Sequence, residues 1–426
     1  MRGGTATVRA VHGSALLLTA GGFASTLWYG VAQPGTALAF GALIALGELA
    51  RWGTPRKRGV PPVLEELRGR EPAPLAAAGA LAYALLGESG GSPSTHDVPQ
   101  IIAVVVAGGL VGIVPHVARD KGPDLDHLAR RVLTVCFAAL CFQPLYNSGW
   151  VTRHLGQGSS YALFLLLLLL LTALCDAVLA ALMLRARTGH PYGPLLRDEL
   201  RALIGIGSAV CATGAVMALG VAAAGLWALP VFCVPLLLTQ VSFRRYTAVR
   251  TTNGQTIASL ARATEIAGYT PPGHARRVAA LSTAVGRELG LSGPELTVLE
   301  YAALMHDIGQ LSLVDPVPKG ATALLPAEEQ RRIALLGGAV VRQTGVARAV
   351  AVVVERQADP YREQPLPARI VRTVNAYDDL AAGRAGGALR ALERLRLGTA
   401  HDFHPEVVES LARVLARGGV TPLPPG

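Results

Sequence analysis

The sequence predicts an all-α protein in two parts, an eight-helix transmembrane domain followed by an all-helical cytoplasmic domain. Three observations predict it. Of 426 residues, 51% are apolar and only 16% charged, against about 25% charged in an ordinary soluble domain. Apolar stretches approaching the roughly 20 residues needed to cross a bilayer follow one another up to residue 243. From about Thr251 the pattern changes to capped, amphipathic helices with no alternating strand pattern. Collagen-like, disordered and disulfide-framework classes are excluded by the missing Gly-X-Y period, the apolar content and the low Cys usage. All five cysteines (Cys136, Cys141, Cys175, Cys211, Cys233) fall in apolar segments without a C-x-x-C pair, and read as small buried apolar residues.

The expected membrane segments lie near 11–32, 36–50, 72–88, 98–117, 132–148, 159–184, 202–222 and 224–243. The sixth is the strongest, with an unbroken run from Leu165 to Leu171; the second and third are short. Pro115, Pro144, Pro230 and Pro235 are tolerated where neighbouring helices satisfy the freed backbone groups. No cleavable signal peptide is evident.

Orientation follows from Lys and Arg in the loops. One side carries Arg2 and Arg9, then Arg51, Arg56, Lys57, Arg58, Arg68 and Arg70. The same side has Arg119, Lys121, Arg130 and Arg131, then Arg185, Arg187, Arg197 and Arg201, then Arg244, Arg245 and Arg250. The opposite loops carry only Arg153. The asymmetry predicts a multi-pass cell-membrane protein with an even number of spans and both termini cytoplasmic. It also explains much of the net charge of +10. With no basic stripe interleaved with aromatics, a nucleic acid polymer is not an expected partner. Asp176 lies inside the sixth span, where a carboxylate either snorkels to the nearby interface or serves sensing or transport. Trp150, Arg153 and His154 stand in an outer loop within reach of an external ligand.

The chain divides into a membrane domain (1–243), a helical linker (244–256), a cytoplasmic domain (257–418) and a disordered Pro-rich tail (419–426). In the cytoplasmic part, Tyr269-Thr270-Pro271-Pro272 opens a helix on which Val278, Leu281, Val285 and Leu289 recur at helical spacing, with Gly290 as its cap. Ser292 and Glu295 form a capping box for the next helix, which runs to His306-Asp307 and ends at Gly309. Further helices are expected over 326–343, 345–357, 366–382, 386–396 and 404–417. Adjacent His and Asp at a helix end can both reach one metal, and imidazole with carboxylate suits a divalent cation. His274, on the preceding helix, can join them.

These residues stand in a longer pattern. QTIASLARATEIAGYTPPGHARRVAALSTAVGRELGLSGPELTVLEYAALMHDIGQLSLVDP (255–316), PARIVRTVNAYDDLAAGR (367–384) and FHPEVVESLARVL (403–415) occur in order. Together they resemble the HD-GYP domain of the HD metal-dependent phosphohydrolases, and the cytoplasmic domain is expected to be of HD type. The resemblance implies metal ligands at His274, His306 and Asp307, with Asn375 where the family has its later Asp. It implies a catalytic role for Asp307 and for Gln310, which stands where the family has Lys. The cofactor implied is a divalent metal (Fe, Mn, Zn or Mg). Other family positions are changed: Leu336 stands where His is expected, Val353-Val354-Glu355 replaces His-His-Glu, and Asp359-Pro360-Tyr361 falls near the missing GYP signature. His401 and His404 match no motif position.

The expected function is a membrane-anchored signalling protein whose degenerate HD-GYP-like domain binds a ligand or partner with weak or no hydrolysis. One alternative is a metal-dependent phosphohydrolase acting on a nucleotide or a cyclic dinucleotide such as cyclic di-GMP. The other is a transporter with a regulatory HD domain. A homodimer through the bundle or linker is compatible with each. Glu265, Arg276-Arg277 and Asp378-Asp379 read as helix-surface or ion-pairing residues, and Lys319-Gly320 resembles a structural turn of the family.

Overall fold

The computed structural model describes residues 2–50, 73–117, 125–155, 158–315, 317, 320–381 and 387–417. Arg51, Arg56, Lys57, Arg58, Arg68, Arg70, Arg119, Lys121, Lys319 and the tail 419–426 lie outside them. The described chain is helical apart from one small antiparallel hairpin, Glu88–Ser89 with Ser92–Pro93. It forms two compact units, one ending at Tyr246 and one beginning at Thr247.

Among the described residues of the first unit, five apolar segments are long enough to cross a membrane: Thr5–Tyr29, Val98–Pro115, Leu125–Asn147, Ser159–Thr188 and the run Ser208–Tyr246. These five stand against the eight segments expected. The helices Pro34–Ala50 (17 residues) and Pro74–Ala84 (11 residues) are apolar but short. The last two expected spans belong to one apolar run, broken only by the 3-10 turn Gly225–Trp227. The amphipathic helix Tyr192–Ala202 fills most of the expected loop after Thr188 and passes into a π-helical turn, Leu203–Gly207, at the start of the expected seventh span.

The interior of this unit is built from Phe40, Ile44, Leu75, Tyr83, Ile101, Phe142 and Met217. Small residues bring its helices close. A Cβ on Gly108 would lie 2.7 Å from the Gly41 carbonyl oxygen, and one on Gly112 would lie 2.6 Å from that of Ala45. Such small-residue seams are the usual packing solution where lipid competes on equal terms for apolar surface. The Ser159–Thr188 helix buries Leu165, Leu168 and Leu169 but exposes Leu163, Leu166 and Leu170. An all-round apolar helix with exposed leucines is suited to hydrocarbon, since water would penalise that face.

Asp176 is ion-paired. Arg130 Nη2 donates to its Oδ2 at 2.8 Å, and Arg130 Nε and Thr134 Oγ1 approach its Oδ1 at 3.3 Å. Two further pairs start from the same helix: Arg131 with Glu48 at 3.0 Å and Asp126 with Arg187 at 2.7 Å. Trp150 stacks on His154 within the short helix Trp150–His154. No disulfide forms among the five cysteines, of which Cys136 is buried and the others partly so.

The second unit contains the helices His274–Glu288, Gly293–Met305, Ala327–Gln343, Arg348–Arg356, Leu366–Ala381, Gly387–Leu397 and Pro405–Ala416. Their apolar faces meet in a core with Val278, Val285, Leu299, Met305, Ile308, Val354, Val371, Val374 and Leu411. The Ser292–Glu295 capping box forms in both directions. Two boundaries differ from expectation. Both prolines precede the first helix, which starts at His274 behind Gly273 in the left-handed conformation (φ 76°). The next helix stops at Met305, before the His-Asp pair, and a 3-10 turn covers Ile308–Ser312. Gly309 therefore lies inside that turn rather than at a helix end. It is required there because a Cβ would run into the Ile333 carbonyl and the Gly337 nitrogen of the facing helix.

Candidate metal centre

Three side chains converge in the second unit. His274, in the first turn of its helix, presents Nε2 at 3.3 Å from His306 Nε2 and at 3.5 Å from Asp307 Oδ2. His306 Nε2 lies 3.2 Å from the same Asp307 oxygen. All three residues are buried, and their donor atoms lie within 4.8 Å of one another.

The other ring nitrogens are already engaged. His306 Nδ1 is 2.8 Å from the Ala303 carbonyl, which can only accept, so Nδ1 donates. His274 Nδ1 donates to Asp378 Oδ2 at 2.8 Å. Asp378 is held in turn by Arg277, through Nε at 3.0 Å and Nη2 at 2.8 Å. Both Nε2 lone pairs thus point at one place, together with an Asp307 oxygen that has no hydrogen-bond donor. A carboxylate behind a ligating imidazole fixes its tautomer and raises its basicity.

The remaining Asp307 oxygen, Oδ1, accepts from Thr322 Oγ1 at 3.0 Å, and Thr322 Oγ1 accepts from Asn375 Nδ2 at 3.1 Å. Asn375 Oδ1 is left buried without a partner. His306, Asp307, Thr322 and Asn375 border one cavity of about 290 Å³, whose wall also includes Gln330, Gln357, Arg372 and Asp402.

Electrostatics follow from this packing. Burial opposes charge on His274, yet the neighbouring carboxylates of Asp307 and Asp378 prevail and push it up to about 10. Burial alone would raise Asp307, but His306 and His274 hold it well below the usual carboxylate range. Against the same burial, His274 and Arg277 hold Asp378 down to about 2. Burial pushes Asp379 up to about 6 against the pull of His274, with the charge of Asp307 adding to the rise. Three converging donors with two lone pairs 3.3 Å apart need positive charge between them, and a proton or a cation can supply it.

The structure therefore brings together His274, His306 and Asp307, and sets Asn375 in the adjoining cavity wall, linked through Thr322. Gln310 is fully buried on the turn after Asp307; neither of its amide atoms has a partner, and it does not border the cavity. Glu355 pairs with Arg342, and Arg356 with Asp359. His401 is exposed, and His404 precedes the last helix. Gly320 takes the turn conformation (φ 67°). Three contributors were not anticipated: Asp378 as the acceptor behind His274, Thr322, and Arg372. A signal was present for two of them, because Arg372, Asn375 and Asp378 repeat at three-residue spacing and so share one helix face.

A buried His-His-Asp cluster with an ordered outer hydrogen-bond shell stands in this all-helical unit, as a metal-binding domain requires. Residues 273–380 match the family model of the HD domain, and this part of the chain is an HD domain, a metal-dependent family. No curated protein matches the chain. Among solved structures, a cyclic GMP-AMP-specific phosphodiesterase of V. cholerae (V-cGAP3) is similar at 13% identity over 80% of this chain and 97% of that one. Its TM-score of 0.25 is too low for residues of one to be placed on the other.

Proposed function

We propose that the protein is a membrane-tethered, metal-dependent phosphohydrolase whose HD domain holds one divalent cation between His274, His306 and Asp307. The observation behind this reading is the convergence of two imidazole Nε2 lone pairs on an Asp307 oxygen that has no donor, with both Nδ1 protons already committed. Two nitrogens and one oxygen favour Fe, Mn or Zn over Mg, which prefers oxygen alone. A divalent cation bound there supplies positive charge for a phosphoryl oxygen and acidity for a nearby water.

The chain's own residues supply the rest. Arg277 and Asp378 fix the His274 ring, the Ala303 carbonyl fixes His306, and Thr322 turns Asp307 so that Oδ2 faces the cluster. Asn375 Oδ1 is free to accept a hydrogen from a water or substrate hydroxyl. The substrate class is a phosphoester, a nucleotide or cyclic dinucleotide being what the sequence resemblance implies. The apolar N-terminal unit anchors the protein in the cell membrane, and the Arg distribution in the sequence favours the cytoplasmic side for the HD domain.

A second reading, a ligand- or partner-binding module without turnover, is favoured by Gln310, Leu336 and Val353-Val354 standing where the resemblance expects Lys and His. Elemental mass spectrometry on the full-length protein in detergent tests the first. About one equivalent of Fe, Mn or Zn, lost in His306→Ala, supports it, and screening of phosphoesters then separates hydrolase from binding module. A wild-type protein that stays empty after metal loading overturns it.

A further inference from the structure

Gln310 cannot supply the positive charge that phosphate recognition needs. Among the described residues bordering the cavity, Arg372 is the only Arg or Lys. It lies one turn before Asn375 on the Leu366–Ala381 helix. Its Nη1 donates to the Asp359 carbonyl at 3.1 Å and approaches that of Gln357 at 3.4 Å. Gln357 Nε2 in turn donates to the His306 carbonyl at 2.8 Å. One guanidinium nitrogen is therefore anchored to the segment that also holds His306.

The other edge of the guanidinium is unused. Among the described residues, Arg372 Nε and Nη2 have no hydrogen-bond partner, and no carboxylate stands within ion-pair distance. Arg277, Arg342, Arg356 and Arg413, by contrast, are each paired with a carboxylate. The carboxylates of Asp402 and Asp359 act on it only at longer range, so a partly buried guanidinium with no direct carboxylate partner gains from an anion that joins it. The Nε/Nη2 edge is a planar fork that matches two oxygens of a phosphate. Asp402, exposed on the same cavity wall, attracts Arg372 at longer range and competes with an incoming anion.

We infer that Arg372 is a phosphate-binding residue: its Nε/Nη2 edge takes two oxygens of the substrate phosphoryl group in the cavity beside His306 and Asp307. The inference rests on the phosphohydrolase reading and names the cation that reading lacks.

The test is calorimetric titration of full-length, Mn-loaded protein in detergent with inorganic phosphate, alongside metal content and unfolding temperature. Arg372→Gln is expected to weaken phosphate binding at least tenfold with metal content and unfolding temperature unchanged. Asp402→Asn is expected to tighten it severalfold. The Asp402 variant decides the matter if Arg372→Gln does not fold, because Asp402 is exposed. Unchanged phosphate affinity in the folded variants overturns the inference, as does a wild type that binds no phosphate. Metal retained with binding indifferent to Arg372 removes this inference and leaves the hydrolase reading standing. Binding that depends on Arg372 in a protein that takes up no metal does the reverse.

Discussion

The Nε2 atoms of His274 and His306 face each other at 3.3 Å, while each Nδ1 is committed to an acceptor on the far side of its ring. Without a cation, a proton is held on His274, which the carboxylates of Asp307 and Asp378 push up to about 10 against its burial. Metal uptake has to expel this proton. Titrating Mn or Zn at pH 7.5 in buffers of different ionisation enthalpy should show release of about one proton. Affinity should rise by about tenfold per pH unit below that range. A buffer-independent heat would contradict the arrangement.

Asp378 is not itself an expected ligand, yet it orients His274 and is itself held by Arg277. Asp378→Ala should weaken metal binding by about 10- to 100-fold, the usual effect of removing an outer-shell carboxylate. Arg277→Ala should act in the same direction and less strongly, because Asp378 keeps its bond to His274. Competition titrations against a chromophoric chelator give both values.

Asp379 adds a pH dependence of the opposite kind to Asp378. Its folded-state pKa, about 6, is above the ordinary value of 3.8. The folded protein therefore holds its proton more tightly than the unfolded chain. Stability from this group is fully present below about pH 4 and is lost as pH rises through about 6. Asp379→Asn should stabilise the metal-free protein at pH 7.5 by on the order of 2 kcal/mol and have little effect at pH 4. Thermal unfolding at the two pH values measures the difference.

The helices of the HD domain were legible because their caps and apolar spacings are local: Ser292 with Glu295, and Val278 with Leu281 and Val285, act within one or two turns. The metal cluster was legible only as residue types, through the His-Asp doublet and the His at the start of the previous helix. Its outer shell was not, because Asp378 and Arg277 meet across 101 positions and a single sequence does not encode that pairing locally. The end of the helix at Met305 was missed because Gly309 looks like a stop signal, whereas its purpose is a close approach to Ile333 and Gly337. In the membrane unit, apolar runs showed where helices form but not the length of each: the second and third expected segments form helices of 17 and 11 residues.

Gly309 allows a last prediction that joins fold to site. The 3-10 turn after Asp307 packs its backbone against the Ala327–Gln343 helix, and an added methyl group would collide with main-chain atoms of Ile333 and Gly337. Neither neighbour is the far end of a flexible side chain, so the turn itself must move. Overpacking of a tight interior contact costs about 1–3 kcal/mol and sometimes more. The displaced turn begins at Ile308, so Asp307 shifts with it and its oxygen leaves the triangle it forms with the two Nε2 atoms. Gly309→Ala should therefore lower the unfolding temperature and weaken metal binding together. Gly345→Ala is the comparison: its φ of 72° imposes backbone strain in open space away from the cluster, so it should lower stability and leave metal affinity intact. Equal metal affinity in the two variants would separate the turn from the ligand geometry and refute the link.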